Sequence, residues 1–178
     1  MIITLVGYRG TGKSTIAAAL AGRLGWDAVD ADVEVERRAG RSIRDIFETG
    51  GEADFRMAER QVMSDLLSGD RRVVAAGGGA VLSADTRRDM KSAGPVVWLR
   101  ASLETILARL AADASTRDRR PSLTGQDPRA EIQSLLARRE PLYREVATCI
   151  VDTDGRTPEA IVAEVWERLP AAIREGAA

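Results

Sequence analysis

Short runs of apolar, mostly β-branched residues alternate along the chain with longer stretches in which apolar positions recur every three or four residues. The short runs lie at 2–6, around 28–29, and at 72–76, 95–99 and 148–151. Runs of this length and make-up predict buried strands. The longer stretches predict helices, several with legible ends. Ser42 with Asp45 three residues on reads as a capping box for a short helix through 47. Gly50-Gly51 separates it from a long central helix over 52–67. Ser102 can cap a helix over 103–111, and Asp127-Pro128 and Thr157-Pro158 each join an N-cap residue to an N1 proline. Arg138 and Arg139 fall near a helix end just before the last strand, and the residues after Pro170 read as a frayed tail. Alternating strands and helices predict an α/β fold of three layers, a parallel five-stranded sheet covered on both faces. With 178 residues and no repeat or linker, one domain over 1–170 and a tail over 171–178 are expected.

Composition narrows the possibilities. A formal net charge of −1 leaves no global positive field, so nucleic-acid binding is not expected. The single Cys149, in the apolar run TCIV, excludes an intrachain disulfide and reads as a small core residue. No basic region precedes the short apolar N-terminal run, and no stretch approaches a membrane span, so a cytoplasmic protein without a membrane partner is expected. His and Asn are both absent, which removes His-based triads and His metal sites. The stretch ADASTRDRRPSLTGQDP stands apart. It lacks helical periodicity and carries Arg117, Arg119, Arg120, Pro121 and Gly125. It reads as a surface loop or, in a nucleotide-binding domain, as a lid over about 113–125.

The chemistry starts at VGYRGTGKST, residues 6–15, between a predicted strand and a predicted helix. Gly7, Gly12, Lys13 and Ser14 fit G-x-x-x-x-G-K-[ST], the P-loop pattern. Glycines let the backbone curl so that its N–H groups form a concave anion nest, and the helix adds its positive end. Lys13 can reach the β- and γ-phosphates of ATP, and Ser14 can ligate Mg²⁺. The chain has 24 Arg and only two Lys, so a lysine at this position stands out.

A P-loop establishes nucleotide binding, not function. A GTPase would need an Asn-Lys-x-Asp element, which a chain without Asn lacks. VDADV and VDTDGRT resemble phosphatase nucleophile loops, but the first follows a P-loop and the second lies too late in the chain. A nucleotide-sensing module needs no second set of convergent polar groups, whereas a small-molecule kinase does. Such a set is present. Asp30 and Asp32 stand at a strand end, where they read either as pocket acids or as an N-cap with a first-turn acid. Arg56 has Glu59 one turn away, a pair that could equally be a weak surface ion pair. Gly77, Gly78 and Gly79 end a buried strand, which suggests backbone brought close to a ligand.

In order, GYRGTGKST, DAD, GRSIRDIFETGGEADFR, GGGAV, RRPSL and RREPLYREVA resemble the shikimate kinase family, over nearly the whole chain from Gly7 to Pro158. The resemblance implies a fold of the nucleoside-monophosphate-kinase type with a lid. It implies ATP-dependent phosphorylation of a shikimate hydroxyl to shikimate 3-phosphate, with Mg²⁺, in a monomer. By position, Gly10, Thr11, Gly12, Lys13, Ser14 and Thr15 would cradle phosphates, and Ser14 and Asp30 would serve the metal. Asp32 would hydrogen-bond the acceptor hydroxyls, with proton acceptance as a second role. Arg56 and Arg139 would grip the carboxylate, and Gly77, Gly78 and Gly79 would offer backbone to the acceptor. Arg120 would be the lid arginine reaching the phosphates, Arg109 would lie against the adenine, and Pro158 would belong to the nucleotide site. The residues alone support a kinase of a small hydroxylated acid. A related metabolite kinase, such as a gluconate kinase, is the alternative, disfavoured by Arg56 and Arg139 with the glycine triplet.

Overall fold

The computed structural model describes residues 1–112 and 127–176. Among them, five parallel strands form one sheet: β1 (Ile2–Val6), β2 (Asp27–Asp30), β3 (Arg72–Ala75), β4 (Val96–Arg100) and β5 (Cys149–Asp152). Their order is β2-β3-β1-β4-β5, with Leu5 of the central strand in register with Ala75 on one side and Val97 on the other. Every residue of β1 is buried, as a strand with two neighbours and two covered faces requires. The sequence expectation of a three-layer α/β sheet agrees with this arrangement.

Strand alternation divides the core. Ile2, Val6, Val74, Val96 and Trp98 point to one face, where α2 (Ala31–Ala39), α3 (Ile43–Leu67), α4 (Ala84–Ala93) and α6 (Pro128–Val146) cover them. Ile3, Leu5, Val73, Val97 and Leu99 point to the other, under α1 (Lys13–Leu24) and α7 (Pro158–Arg168). A smaller cluster around Tyr8, Ile106 and Ile132 joins the P-loop to α5 (Leu103–Ala112) and α6. The chain reverses its direction across the sheet beside β1, so the crevice at the carboxyl ends of the strands opens where the P-loop sits.

The expected helix ends recur. Asp45 N–H donates to Ser42 Oγ and Ser42 N–H donates to the Asp45 carboxylate, each at 3.1 Å, closing the capping box. Gly51, at φ 71° and ψ −171°, breaks α3 between the short and long segments, a conformation that glycine alone adopts without strain. Three expectations need correction. α6 ends just before the last strand, as expected, but it does so at Val146, beyond Pro141, which leaves Arg139 well inside the helix. Proline costs that helix one hydrogen bond, and burial of Tyr143 and Val146 against the sheet side carries it past the gap. Residues 171–176, read as part of a frayed tail, are not frayed. They form α8 (Ala171–Glu175), because Ile173 is buried in the second core layer. Cys149 is half-buried rather than fully buried, and burial pushes its thiol pKa up. No helix among the described residues is long and apolar enough to cross a membrane.

Candidate active site

The P-loop follows from β1 and three glycines with positive φ: Gly7, Gly10 and Gly12. A Cβ on Gly7 would collide with the Leu99 carbonyl of β4, so the close packing of loop on sheet excludes any side chain there. Gly12, at φ 89°, is the N-cap of α1. Lys13 Nζ donates to the Gly7 and Tyr8 carbonyls, both at 2.9 Å, so its ammonium lies across the mouth of the loop. Thr11 is buried, and both its hydroxyl and its N–H donate to the Tyr8 carbonyl, at 2.8 and 3.3 Å. Its side chain therefore shapes the loop from within. Ser14 and Thr15 open α1 and are exposed.

Asp30 and Asp32 flank the turn from β2 into α2. Asp30 caps that helix, its Oδ1 accepting from Asp32 N at 2.9 Å and Val33 N at 3.3 Å. Its other oxygen accepts from the Ser14 hydroxyl in a short hydrogen bond. Capping uses one oxygen of Asp30 and leaves the other beside the Ser14 hydroxyl, so the capping reading does not exclude the metal-site reading.

The glycine triplet at the end of β3 gathers the remaining groups. A Cβ on Gly77 would lie 2.6 Å from both Asp32 Oδ1 and Glu59 Oε1. One on Gly79 would lie 2.7 Å from Arg56 Nη2. One on Gly78 would lie 3.6 Å from Arg139 Nη1 and 3.5 Å from the P-loop's Gly7 carbonyl. Three consecutive backbone positions therefore face an acid pair, one arginine and the other arginine, beside the phosphate loop.

Arg56 is held from two sides. Nη1 donates to Glu59 Oε2 at 2.7 Å, while Nε and Nη2 donate to Glu52 Oε1 at 3.2 and 3.0 Å. Burial pulls the guanidinium pKa down, and the two glutamates outweigh it and hold it above its usual value. Glu59 is only 3% exposed, so the pair is not the weak surface contact that its i, i+3 spacing allows. Arg56 and Gly79 line a cavity of about 320 Å³ with Glu52, Glu59, Arg60 and Ser83. A larger cleft of about 620 Å³, between α5 and α6, contains none of the expected site residues.

Arg109 Nη1 donates to Gly10 O at 3.2 Å and to Thr153 Oγ1 at 3.0 Å, while Nη2 donates to Thr153 O at 2.8 Å. These bonds tie α5 and the segment after β5 to the P-loop. Pro158, exposed at N1 of α7, is the first helical residue beyond that segment. Arg117, Arg119 and Arg120, with the expected lid, lie outside the described residues.

Sequence reasoning missed Tyr143 and Thr153. Tyr143 sits four residues after Arg139, on the same helix face, and its hydroxyl donates to Gly78 O at 2.5 Å. That spacing was the available signal. Nothing in the sequence marked Thr153 as an anchor for Arg109.

The family description "Shikimate kinase" matches residues 9–170. A shikimate kinase of Rhodopirellula baltica is 43% identical over 169 residues, covering 95% of this chain and 90% of that protein. The solved structure of shikimate kinase from Acinetobacter baumannii in complex with shikimate superposes with a TM-score of 0.87 at 37% identity, covering 93% of this chain and 90% of that one. A gluconokinase from Sinorhizobium meliloti reaches a TM-score of 0.59 at 20% identity, with 98% and 90% covered, a likeness of fold alone.

Proposed function

The chain belongs to the shikimate kinase family, and on that footing we propose which of its residues carry the reaction. It is an ATP-dependent kinase that phosphorylates shikimate. The oxygen of a shikimate hydroxyl, the 3-hydroxyl in this reading, attacks the γ-phosphorus. The bond to the bridging oxygen breaks and ADP leaves.

Residues 1–170 act as one kinase domain. The N–H groups of residues 10–15 cradle the phosphates, with Thr11 shaping the loop. Lys13 exchanges the Gly7 and Tyr8 carbonyls for phosphate oxygens. Ser14 and Asp30 set two hard oxygen donors side by side. That donor set fits Mg²⁺, which is typically held by one or two protein oxygens together with substrate phosphates. The bound ion would neutralise charge on the phosphates. Arg109 lies against the adenine, Pro158 belongs to the nucleotide site, and Arg120 reaches the transferring phosphate from the lid.

On the acceptor side, Arg56 and Arg139 grip the carboxylate. Planar guanidinium forks match a carboxylate geometrically as well as electrically. Gly77, Gly78 and Gly79 bring backbone to the ring, and Asp32 holds the reacting hydroxyl and takes its proton. The observation that carries this reading is the glycine triplet, whose three positions face Asp32, Arg139 and Arg56 beside the P-loop. Arginines and an acid on one strand end suit a substrate that is both a carboxylate and a polyol. A cytoplasmic monomer completes the proposal, and light scattering on the purified chain measures the oligomeric state.

ADP release measured over shikimate, gluconate and nucleoside monophosphates tests the reading. Turnover with shikimate alone is expected. Comparable turnover with gluconate would move the assignment to the alternative metabolite kinase.

A further inference from the structure

We infer that Tyr143 is a positioning residue for the acceptor site, holding the Gly78 peptide and, through it, Arg139. The inference rests on the acceptor reading above. Tyr143 is 1% exposed and packs on Trp98 with ring centroids 5.7 Å apart, so its ring has little freedom. Its hydroxyl donates to Gly78 O at 2.5 Å, and Arg139 Nη1 donates to the same oxygen at 3.3 Å. The two donors come from one face of α6, one turn apart. The tyrosine bond is short and the arginine bond long, so the tyrosine does most to satisfy this carbonyl.

Two consequences follow from covalent geometry. In a planar trans peptide, the carbonyl of one residue and the N–H of the next point in opposite directions. Fixing Gly78 O toward α6 therefore aims Gly79 N–H away from α6. With glycines on both sides, the local backbone has no side chain to set that plane, and an external bond has to do it. The second consequence concerns Arg139. While Tyr143 satisfies the carbonyl, the guanidinium makes only a long bond to that oxygen, over the Tyr8 ring at 5.7 Å, and keeps donors available to a carboxylate. Remove the hydroxyl, and a half-buried acceptor is left with Arg139 as its donor, which draws the guanidinium off the substrate. Burial pushes the phenol pKa well above its usual value, so the hydroxyl stays a donor across the working pH range.

Tyr143→Phe is expected to raise the shikimate KM about tenfold, the equivalent of ~1.4 kcal/mol. The ATP KM and kcat should stay within about twofold, because neither the P-loop nor Asp32 is touched. Adding Arg139→Ala should give an acceptor defect smaller than the product of the two single defects, since part of what Tyr143 does runs through that arginine and the rest through the Gly78 peptide. Thermal shift with shikimate gives the same comparison as binding, and it reads a destabilised variant as well as a stable one. A wild-type shikimate KM in Tyr143→Phe would overturn the inference. So would an equal rise in both KM values, which marks general loosening, or multiplication of the two defects in the double variant. An unchanged shikimate KM in Arg139→Ala alone would instead overturn the acceptor reading on which the inference stands.

Discussion

Lys13 is one of two lysines in a chain with 24 arginines, and its ammonium already lies across the Gly7 and Tyr8 carbonyls. Its bonds to Gly7 and Tyr8 go to loop carbonyls rather than to sheet or helix partners, so its removal should affect the reaction far more than the fold. Lys13→Met is expected to lower kcat by well over tenfold, more than ~1.4 kcal/mol of transition-state stabilisation, with the melting temperature preserved. Retention of more than about a tenth of wild-type turnover would contradict the phosphate role. Asp32 separates into two roles by substitution. Asn still bonds a hydroxyl but cannot take its proton. A fall in turnover of roughly a hundredfold in Asp32→Asn marks the proton acceptor. A raised shikimate KM with substantial turnover would mark positioning only. The identity of these residues was legible in the sequence because each belongs to a short motif. Burial was not legible. Glu59 sits one helical turn from Arg56, and only the packing of α3 over the sheet makes it a buried partner.

The elements were readable where pattern and capping agreed, as at Ser42 and Asp45 or at the strand-glycine-helix run of the P-loop. They were less legible where tertiary burial decides which residues a helix presents. α6 passes Pro141 and ends just before the last strand because Tyr143 and Val146 are buried beyond the proline. That continuation places Tyr143 one turn past Arg139, at the glycine triplet. The end of β3 gives the element-scale prediction. A Cβ on Gly79 would fall 2.7 Å from the Arg56 guanidinium, the far end of a flexible side chain. Gly79→Ala should therefore displace one arm of the carboxylate grip, with some loss of stability because the same guanidinium pairs with buried Glu59. A rise in shikimate KM of tenfold or more, with the ATP KM unchanged, is expected in steady-state kinetics. A wild-type shikimate KM would mean that Arg56 does not meet the substrate.

At the scale of the whole molecule, many carboxylates are held below their usual range by arginine or by backbone donors. Glu34 is the clearest, lowered from 4.5 to about 2 by hydrogen bonds from Arg37 and Arg38. Asp152 is lowered by Arg100, and Glu145 by Arg87. A group whose pKa falls on folding stabilises the folded state above its unfolded pKa, and that contribution is lost as pH falls through the folded value. Calorimetry should thus show a melting temperature nearly flat from pH 7 to 5 and falling below pH 4.5, with a shallower fall in Glu34→Gln. An identical slope in that variant would show that the Glu34 ion pairs do not act in solution. The proposed acceptor site rests on a different set of charges, the two arginines brought from α3 and α6 to one strand end. Shikimate compared with its methyl ester, which keeps the hydroxyls and loses the carboxylate charge, tests that convergence most directly. Wild-type enzyme is expected to prefer the acid by a hundredfold or more in kcat/KM, on the scale of ~2.7 kcal/mol, and Arg56→Ala and Arg139→Ala should each erase most of that preference. Equal kcat/KM for acid and ester in the wild type, or full preference retained in both arginine variants, would contradict the carboxylate grip.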